Sequence, residues 1–180
     1  IKLTDGGHLS HGSPVNRSGK YYNSIAYSVD PNTEKIDYEK LDILAHKHKP
    51  KLIIAGYSSY PWAVDWNRFR QIADSVGAFL MADIAHVAGL VAAEQYPSPV
   101  GIADVVTFTT HKSMCGPRGA CILTTDRVLA RKIDRAVFPG EQGGPHLNTI
   151  AAIAVAFKIA HSDQFKLLQK QIRDNASRMA

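Results

Sequence analysis

Two short, continuously apolar runs, Leu52-Ile53-Ile54-Ala55 and Ala78-Phe79-Leu80-Met81-Ala82, constrain this chain more than any other feature. Neither alternates polar with apolar residues, and both are too short for a core helix. Runs of this kind suit strands covered on both faces, which require helices packed against them. The helices are signalled where they are needed. Asp37 can cap a helix running to about His48, with Tyr38, Leu41, Leu44 and Ala45 on its apolar face and Pro50 beyond its end. Asp65 can cap another through Val76, which Gly77 stops. Upstream, Tyr22 to Val29 reads as a strand and Asp30-Pro31-Asn32-Thr33 as a turn. Downstream, Asp104 to Thr110 and Ala120 to Thr124 read as strands, followed by a helix capped at Asp126 and helical segments over Leu147 to Ala160 and from Asp163 onward. Strands alternating with helices predict an α/β fold with a mostly parallel sheet flanked by helices.

Open α/β sheets bind ligands just beyond the carboxyl ends of their strands. The polar residues at those ends are Ser58 and Ser59, then Asp83 and His86, then His111 and Lys112. A carboxylate directly after a buried strand must be hydrogen-bonded or paired, because burying it bare is costly. Asp83 is therefore either the cap of a helix around Ala85-His86-Val87 or a partner for a protonated ring nitrogen. Pyridoxal phosphate needs such a partner, since its protonated pyridine is the electron sink. Lys112 follows small polar residues, Thr109-Thr110-His111, and a lysine amine attacks carbonyls when burial or nearby cations favour its neutral form. Taken alone, a loop lysine is a surface residue. The glycine-rich loop Gly116-Pro117-Arg118-Gly119 follows it, and Arg118 could hold a phosphate or carboxylate as a fork. A second such loop, Pro139 to Pro145, precedes a helix, where free backbone amides suit phosphate.

Composition excludes more than it assigns. The formal charge is +5, but the basic residues are interspersed with acids, which reads as a solvated surface and not as a nucleic-acid or membrane-binding face. Cys115 and Cys121 are the only cysteines and read as reduced thiols of a cytoplasmic protein. No apolar run has membrane-spanning length, and no HExxH or other compact ligand spacing points to a metal. His46, His48 and His161 read as surface or helix-end residues, whereas His8 and His11 lie in a glycine-rich loop where an imidazole could stack on a flat ring or hydrogen-bond. A start at Ile1 and an end inside a helical pattern suggest a piece of a larger protein.

Four segments together resemble the serine hydroxymethyltransferase family, and the likeness runs the length of the chain. They are Gly6-Gly7-His8-Leu9-Ser10-His11-Gly12-Ser13-Pro14-Val15-Asn16, Asp83-Ile84-Ala85-His86-Val87-Ala88-Gly89-Leu90-Val91-Ala92-Ala93, Thr109-Thr110-His111-Lys112 with Gly116-Pro117-Arg118-Gly119, and Phe138-Pro139-Gly140-Glu141-Gln142-Gly143-Gly144-Pro145. The resemblance implies a fold-type I, aminotransferase-like large domain, here partial over 1–180, with 163–180 leading toward a small domain. It implies interconversion of L-serine and glycine with pyridoxal 5'-phosphate as cofactor and tetrahydrofolate as one-carbon acceptor, in a cytoplasmic homodimer or homotetramer.

By the same resemblance Lys112 would be the Schiff-base lysine, Asp83 would pair with the pyridine nitrogen and His8 would stack on the ring. Ser58 and His86 would bond the phenolic side, His111 and Arg118 would line the pocket, and Gly143 and Gly144 would meet the phosphate across a subunit interface. Gly7, His8 and Leu9 would border the folate site. Ser113-Met114-Cys115, Ala120 and Tyr60-Pro61-Trp62 depart from the family's usual residues, which bears on fine specificity. The family's catalytic glutamate, substrate tyrosine and serine-glycine phosphate loop, and the arginine that binds the substrate carboxylate, have no counterpart in these residues. Two other readings compete: a folate-independent aldolase acting on 3-hydroxy amino acids, and a non-catalytic module that retains the fold.

Overall fold

The computed structural model describes residues 1–180. The chain divides into two compact units, Ile1–Asp83 and Ile84–Ala180. The first contains α1 (Arg17–Tyr21), α2 (Tyr38–His48), β1 (Leu52–Gly56), α3 (Trp66–Val76) and β2 (Phe79–Asp83). The second contains α4 (Ala88–Ala92), β3 (Val105–Thr109), β4 (Ala120–Leu123), α5 (Arg127–Arg135), α6 (Leu147–Ala160) and α7 (Asp163–Met179).

In the first unit the two apolar runs pair in parallel, Leu52 with Phe79 and Gly56 with Asp83. The register brings the polar residues after both strands to the same edge. The helices begin and end at their signals: Asp37 accepts from the Lys40 N–H and Asp65 from the Arg68 N–H, while Gly77 closes α3 at φ +69°. The core centres on Phe69, fully buried, with the Tyr27 and Tyr38 rings edge-on to it at 5.7 and 5.4 Å. The Tyr27 hydroxyl donates to the Ile54 carbonyl at 3.1 Å, and burial pushes its phenol pKa far up.

The strand expected over Tyr22 to Val29 does not form. Its backbone is tied at scattered points, among them a single bridge between Val29 and Ile36, a bond from the Lys2 N–H to the Tyr27 carbonyl and one from the Val29 N–H to Asp5 Oδ2. Tyr22 and Ile25 are exposed, so the segment's apolar content comes from residues that find no neighbouring strand to pack along. The turn after it is real: Asp30 Oδ1 accepts from the Asn32 and Thr33 N–H groups, and these bonds hold its carboxyl below its ordinary pKa.

In the second unit β3 and β4 pair antiparallel, Val106 with Leu123 and Thr109 with Ala120. This departs from the parallel expectation because the connection between them is too short for a helical crossover. Phe157 of α6 lies 6.2 Å from Phe108 of β3, and Ala156 and Ala160 are buried on the same helix. Other apolar residues of α6 and α7, among them Leu147, Ile150, Val155, Leu167 and Leu168, remain exposed. No helix is long and apolar enough to cross a membrane, and both cysteines are free.

Asp65→Ala in the full-length protein is expected to cost about 1 kcal/mol by removing the α3 cap, and Asp65→Asn much less. Urea midpoints at constant slope measure both, and equal losses would assign the effect to something other than the cap.

Candidate functional site

At the carboxyl end of β2, Asp83 sits in register beside Gly56. The missing side chain matters, because a Cβ on Gly56 would lie 2.7 Å from the Asp83 Cβ. Asp83 Oδ2 is 2.7 Å from His11 Nε2, and the two side chains are 20% and 5% exposed. A carboxylate can only accept, so His11 Nε2 carries the hydrogen and donates it. His11 Nδ1 is buried without a protein partner. The alternative of Asp83 as a helix cap fails, since α4 begins later, at Ala88, behind Val87 and with no side-chain cap.

His8 stands beside this pair, its ring centroid 5.6 Å from that of His11 at a 58° tilt. Its Nδ1 accepts from the Ser10 N–H at 3.2 Å and lies 2.6 Å from the Ser10 hydroxyl, which leaves the ring itself exposed. The loop that carries both histidines is tied to the residues after β1: the Gly6 carbonyl accepts from the Ser58 N–H at 2.7 Å and the Ser59 N–H at 3.1 Å. Gly7 is packed against the chain's first residues, where a Cβ would stand 2.7 Å from the Lys2 carbonyl oxygen, while Leu9 is exposed. The structure thus brings His8, His11, Asp83 and Ser58 into one neighbourhood of the first unit. A cavity of ≈ 570 Å³ in that unit lies elsewhere, among apolar residues such as Leu41, Ala45 and Ile53 under the 22–27 segment, and only His11 of this group reaches it.

In the second unit, Lys112 Nζ is 3.2 Å from His86 Nε2. Lys112 forms no ion pair, so its amine is matched by an imidazole and not neutralised by a carboxylate. While the amine is an ammonium it has no lone pair, and His86 Nε2 must be the acceptor. His111 is partly buried, and its Nδ1 has no protein partner. The loop that follows is a backstop. Thr110, fully buried, donates its N–H to the Gly119 carbonyl at 2.9 Å and its hydroxyl to the Pro117 carbonyl at 2.7 Å. The Gly116 N–H returns to the Thr110 carbonyl at 2.7 Å. Both glycines are there for closeness, because a Cβ on Gly116 or Gly119 would stand 3.0 Å from Ala156 or Ile153 of α6. Arg118 between them is exposed and its guanidinium makes no hydrogen bond or ion pair. Gly143 and Gly144 are exposed too, and a Cβ on either would meet nothing within 4 Å.

A serine hydroxymethyltransferase family model matches residues 1–180. The chain belongs to the serine hydroxymethyltransferase family. Similar relatives bear the same name: that of Cyanothece sp. is 56% identical over 180 residues, covering 100% of this chain and 42% of that protein. Those of Nitrosomonas eutropha and Vesicomyosocius okutanii are 57% and 55% identical, again over 100% of this chain and 43% of theirs. The chain therefore spans less than half the length of these relatives. The fold is the α/β, fold-type I class of serine hydroxymethyltransferases.

For His11 the sequence allowed stacking on a flat ring or hydrogen bonding but named no partner; the structure shows the hydrogen bond, to Asp83. Its partner lies 72 positions away, and a histidine in a glycine-rich loop carries no mark of burial. The only available signal was Asp83 itself, which needed a donor.

The His11–Asp83 contact is expected to show a coupling energy of about 1.5–3 kcal/mol in a double-mutant cycle of His11→Ala and Asp83→Ala on cofactor-free, full-length protein. Chemical denaturation of the four forms measures it. Additive losses would mean that the contact contributes nothing beyond packing.

Proposed function

We propose that this chain is the cofactor-binding part of an enzyme that interconverts L-serine and glycine, using pyridoxal 5'-phosphate and passing the one-carbon unit to tetrahydrofolate to form 5,10-methylenetetrahydrofolate. The observation that carries this reading is the Lys112 amine, 3.2 Å from the His86 imidazole and without a carboxylate partner, in a member of this family. The remaining polar groups fit the cofactor. His111 Nδ1 is a buried atom in want of a partner, and the Arg118 guanidinium and the Ser58 hydroxyl have none within the protein.

Bound pyridoxal phosphate supplies a protonated pyridine ring that draws electrons from the bonds of the substrate α-carbon. The chain's residues supply the rest. Lys112 is the attachment lysine, its amine exchanging a hydrogen bond with His86 Nε2. Asp83 holds the proton on the ring nitrogen, and the His11 N–H fixes the carboxylate that does so. His8 covers a ring face. Ser58 and His86 bond the phenolic side, and His111 and Arg118 line the pocket. Gly143 and Gly144 present backbone amides to the phosphate of a neighbouring subunit, and Gly7, His8 and Leu9 border the folate. The exposed apolar residues of α6 and α7 support a homodimer or homotetramer, and their cover also includes the segments through which the relatives exceed this chain. Residues 1–180 form a partial large domain, with α7 leading toward a small domain, in a cytoplasmic protein without a nucleic-acid or membrane partner.

Borohydride reduction of the cofactor-loaded, full-length protein is expected to fix a pyridoxyl group on Lys112, as peptide mass mapping reads it. A label mainly on another lysine would overturn the assignment. Asp83→Asn is expected to retain attachment but lose on the order of 100-fold in turnover, since an amide cannot hold the ring nitrogen protonated. Near-normal turnover would refute the pyridinium role. Serine cleavage that proceeds equally well without tetrahydrofolate would favour the aldolase reading.

The isolated segment 1–180 is expected to show no serine–glycine exchange. The family's arginine for the substrate carboxylate has no counterpart in its residues, and its phosphate loop serves a neighbour. Robust turnover by the purified segment would show that the substrate site is within it.

A further inference from the structure

If Lys112 has the task assigned above, whatever holds its loop has functional weight. Ser113, the next residue, is grasped from three directions inside the second unit. Its hydroxyl donates to the His86 carbonyl at 3.0 Å and accepts from the Gly89 N–H at 3.0 Å. Its carbonyl accepts from Gln169 Nε2 of α7 at 2.9 Å. Gly89 is what permits the approach: a Cβ there would run into the Ser113 carbonyl oxygen and stand 3.0 Å from Gln169 Nε2. The helix that delivers Gln169 is itself fixed, with its cap Ser162 accepting from the Phe165 N–H at 3.3 Å and Phe165, one turn before Gln169, buried.

Gln169 is a costly residue for a mere filler. Its side chain is fully buried, and its Oε1 has no partner. Burying an amide is unfavourable where its hydrogen bonds are incomplete, and an apolar side chain of equal length would pack without that cost. What the amide supplies, and an apolar side chain cannot, is a fixed distance from α7 to the carbonyl next to Lys112. Through the Ser113 hydroxyl the same grip reaches the His86 backbone. Both members of the Lys112–His86 pair are thereby referenced to one side chain on α7.

We infer that Gln169 is a positioning residue, which acts through Ser113 to hold the Lys112 amine against His86. The inference rests on the reading of Lys112 as the attachment lysine. It requires that loosening Gln169 disturb the lysine loop specifically, beyond any loss of global stability.

The test uses the full-length protein with Gln169→Met, Ser113→Ala, the double variant, and Ser113→Thr, which keeps the hydroxyl. In cofactor-free protein, amide exchange of the His111–Cys115 peptide is expected to rise on the order of tenfold in the first three, with Phe79–Asp83 unchanged. In loaded protein, the pH midpoint of the bound cofactor's visible band is expected to shift in the same direction in all three. Their kcat should fall by about tenfold with KM for serine within about twofold, as for a displaced reacting group. The double variant should be no worse than the worse single one, because both changes break one arrangement. Ser113→Thr should keep wild-type values. Lowered thermal stability with wild-type exchange at 111–115 and an unmoved pH midpoint would overturn the inference and leave Gln169 a packing residue. Should Gln169→Met not fold, Gln169→Leu is read by the same criteria. A borohydride label on another lysine would refute the function assigned to Lys112. The grip is then judged on the cofactor-free exchange alone, where an unchanged 111–115 peptide refutes it separately.

Discussion

An ionised carboxylate at the end of a covered strand accepts hydrogen bonds and cannot donate one, and much of the first unit follows from that. Asp83 needs a donor, and β2 brings it to an edge where no backbone ladder continues beyond Asp83 along its own strand. His11 is the side chain that supplies one, at 2.7 Å. For the imidazole to stay there, its loop must be tied down at both ends. The Gly6 carbonyl holds the residues after β1, and the Gly12 N–H donates to the Ser18 hydroxyl at 3.0 Å, on the helix that Asn16 caps. Gly6 and Gly12 adopt φ +92° and +103°, a region that favours glycine, and a Cβ on either would meet neighbouring chain at close range. One electrostatic requirement thus accounts for the glycines of a loop that has no regular secondary structure of its own.

In the proposed reading the second unit meets a different requirement, that of keeping a long, flexible lysine in one place. Here neutral hydrogen bonds and close backbone approach do the holding. Thr110 is enclosed by the Gly116–Gly119 turn, and at both glycines the turn approaches α6 so closely that a Cβ would stand 3.0 Å from Ala156 or Ile153. For the proposed attachment lysine, charge would be counterproductive beside the amine. A carboxylate within reach of Lys112 would stabilise the ammonium, the form that cannot attack a carbonyl. The imidazole of His86 offers a hydrogen-bond partner without a fixed negative charge.

Much of this was legible in the sequence, and what escaped has a physical cause. The helices capped by Asp37, Asp65 and Asp126 start where their caps stand, because a cap is a local interaction between a side chain and the amides of the next turn. The runs Leu52 to Ala55 and Ala78 to Ala82 hold strands, as their lack of polar residues implied, but are covered less evenly than expected. Ile53, Ala55, Leu80 and Ala82 are buried, Ile54 and Met81 half-buried, and Leu52 and Phe79 at the strand starts exposed. The segment from Tyr22 to Val29 misled because β-propensity describes fit to a neighbouring strand, and no strand neighbours it. The glycines at 116 and 119 pointed to a ligand loop, whereas their immediate work is packing, a distinction that depends on α6 lying across them. His11 and Gln169 act on partners 72 and 56 residues away, and no local pattern encodes such a pairing.

The unmet polar atoms of this chain deserve to be weighed together. A buried donor or acceptor without a partner costs about 1–3 kcal/mol, and a fold of marginal stability retains few of them. His11 Nδ1, His111 Nδ1 and Gln169 Oε1 are of this kind, and so is Nε of Arg70 on α3, whose Nη2 pairs with Asp74 at 2.7 Å. The first belongs to the side chain that orients Asp83, the second to the residue next to Lys112, and the third to the side chain that grips Ser113. Packing alone gives no reason for the cost at the first three, since leucine or phenylalanine would fill the same space more favourably. The proposed function gives one for each of the three. An imidazole is required where a carboxylate must be met by an N–H, and its second nitrogen comes with the ring whether or not the protein can satisfy it. A glutamine is required where a carbonyl must be met at a fixed reach, and its oxygen comes with the amide. His111 Nδ1 differs from these two, because it is an available atom beside the proposed attachment lysine, and a bound ligand can complete it.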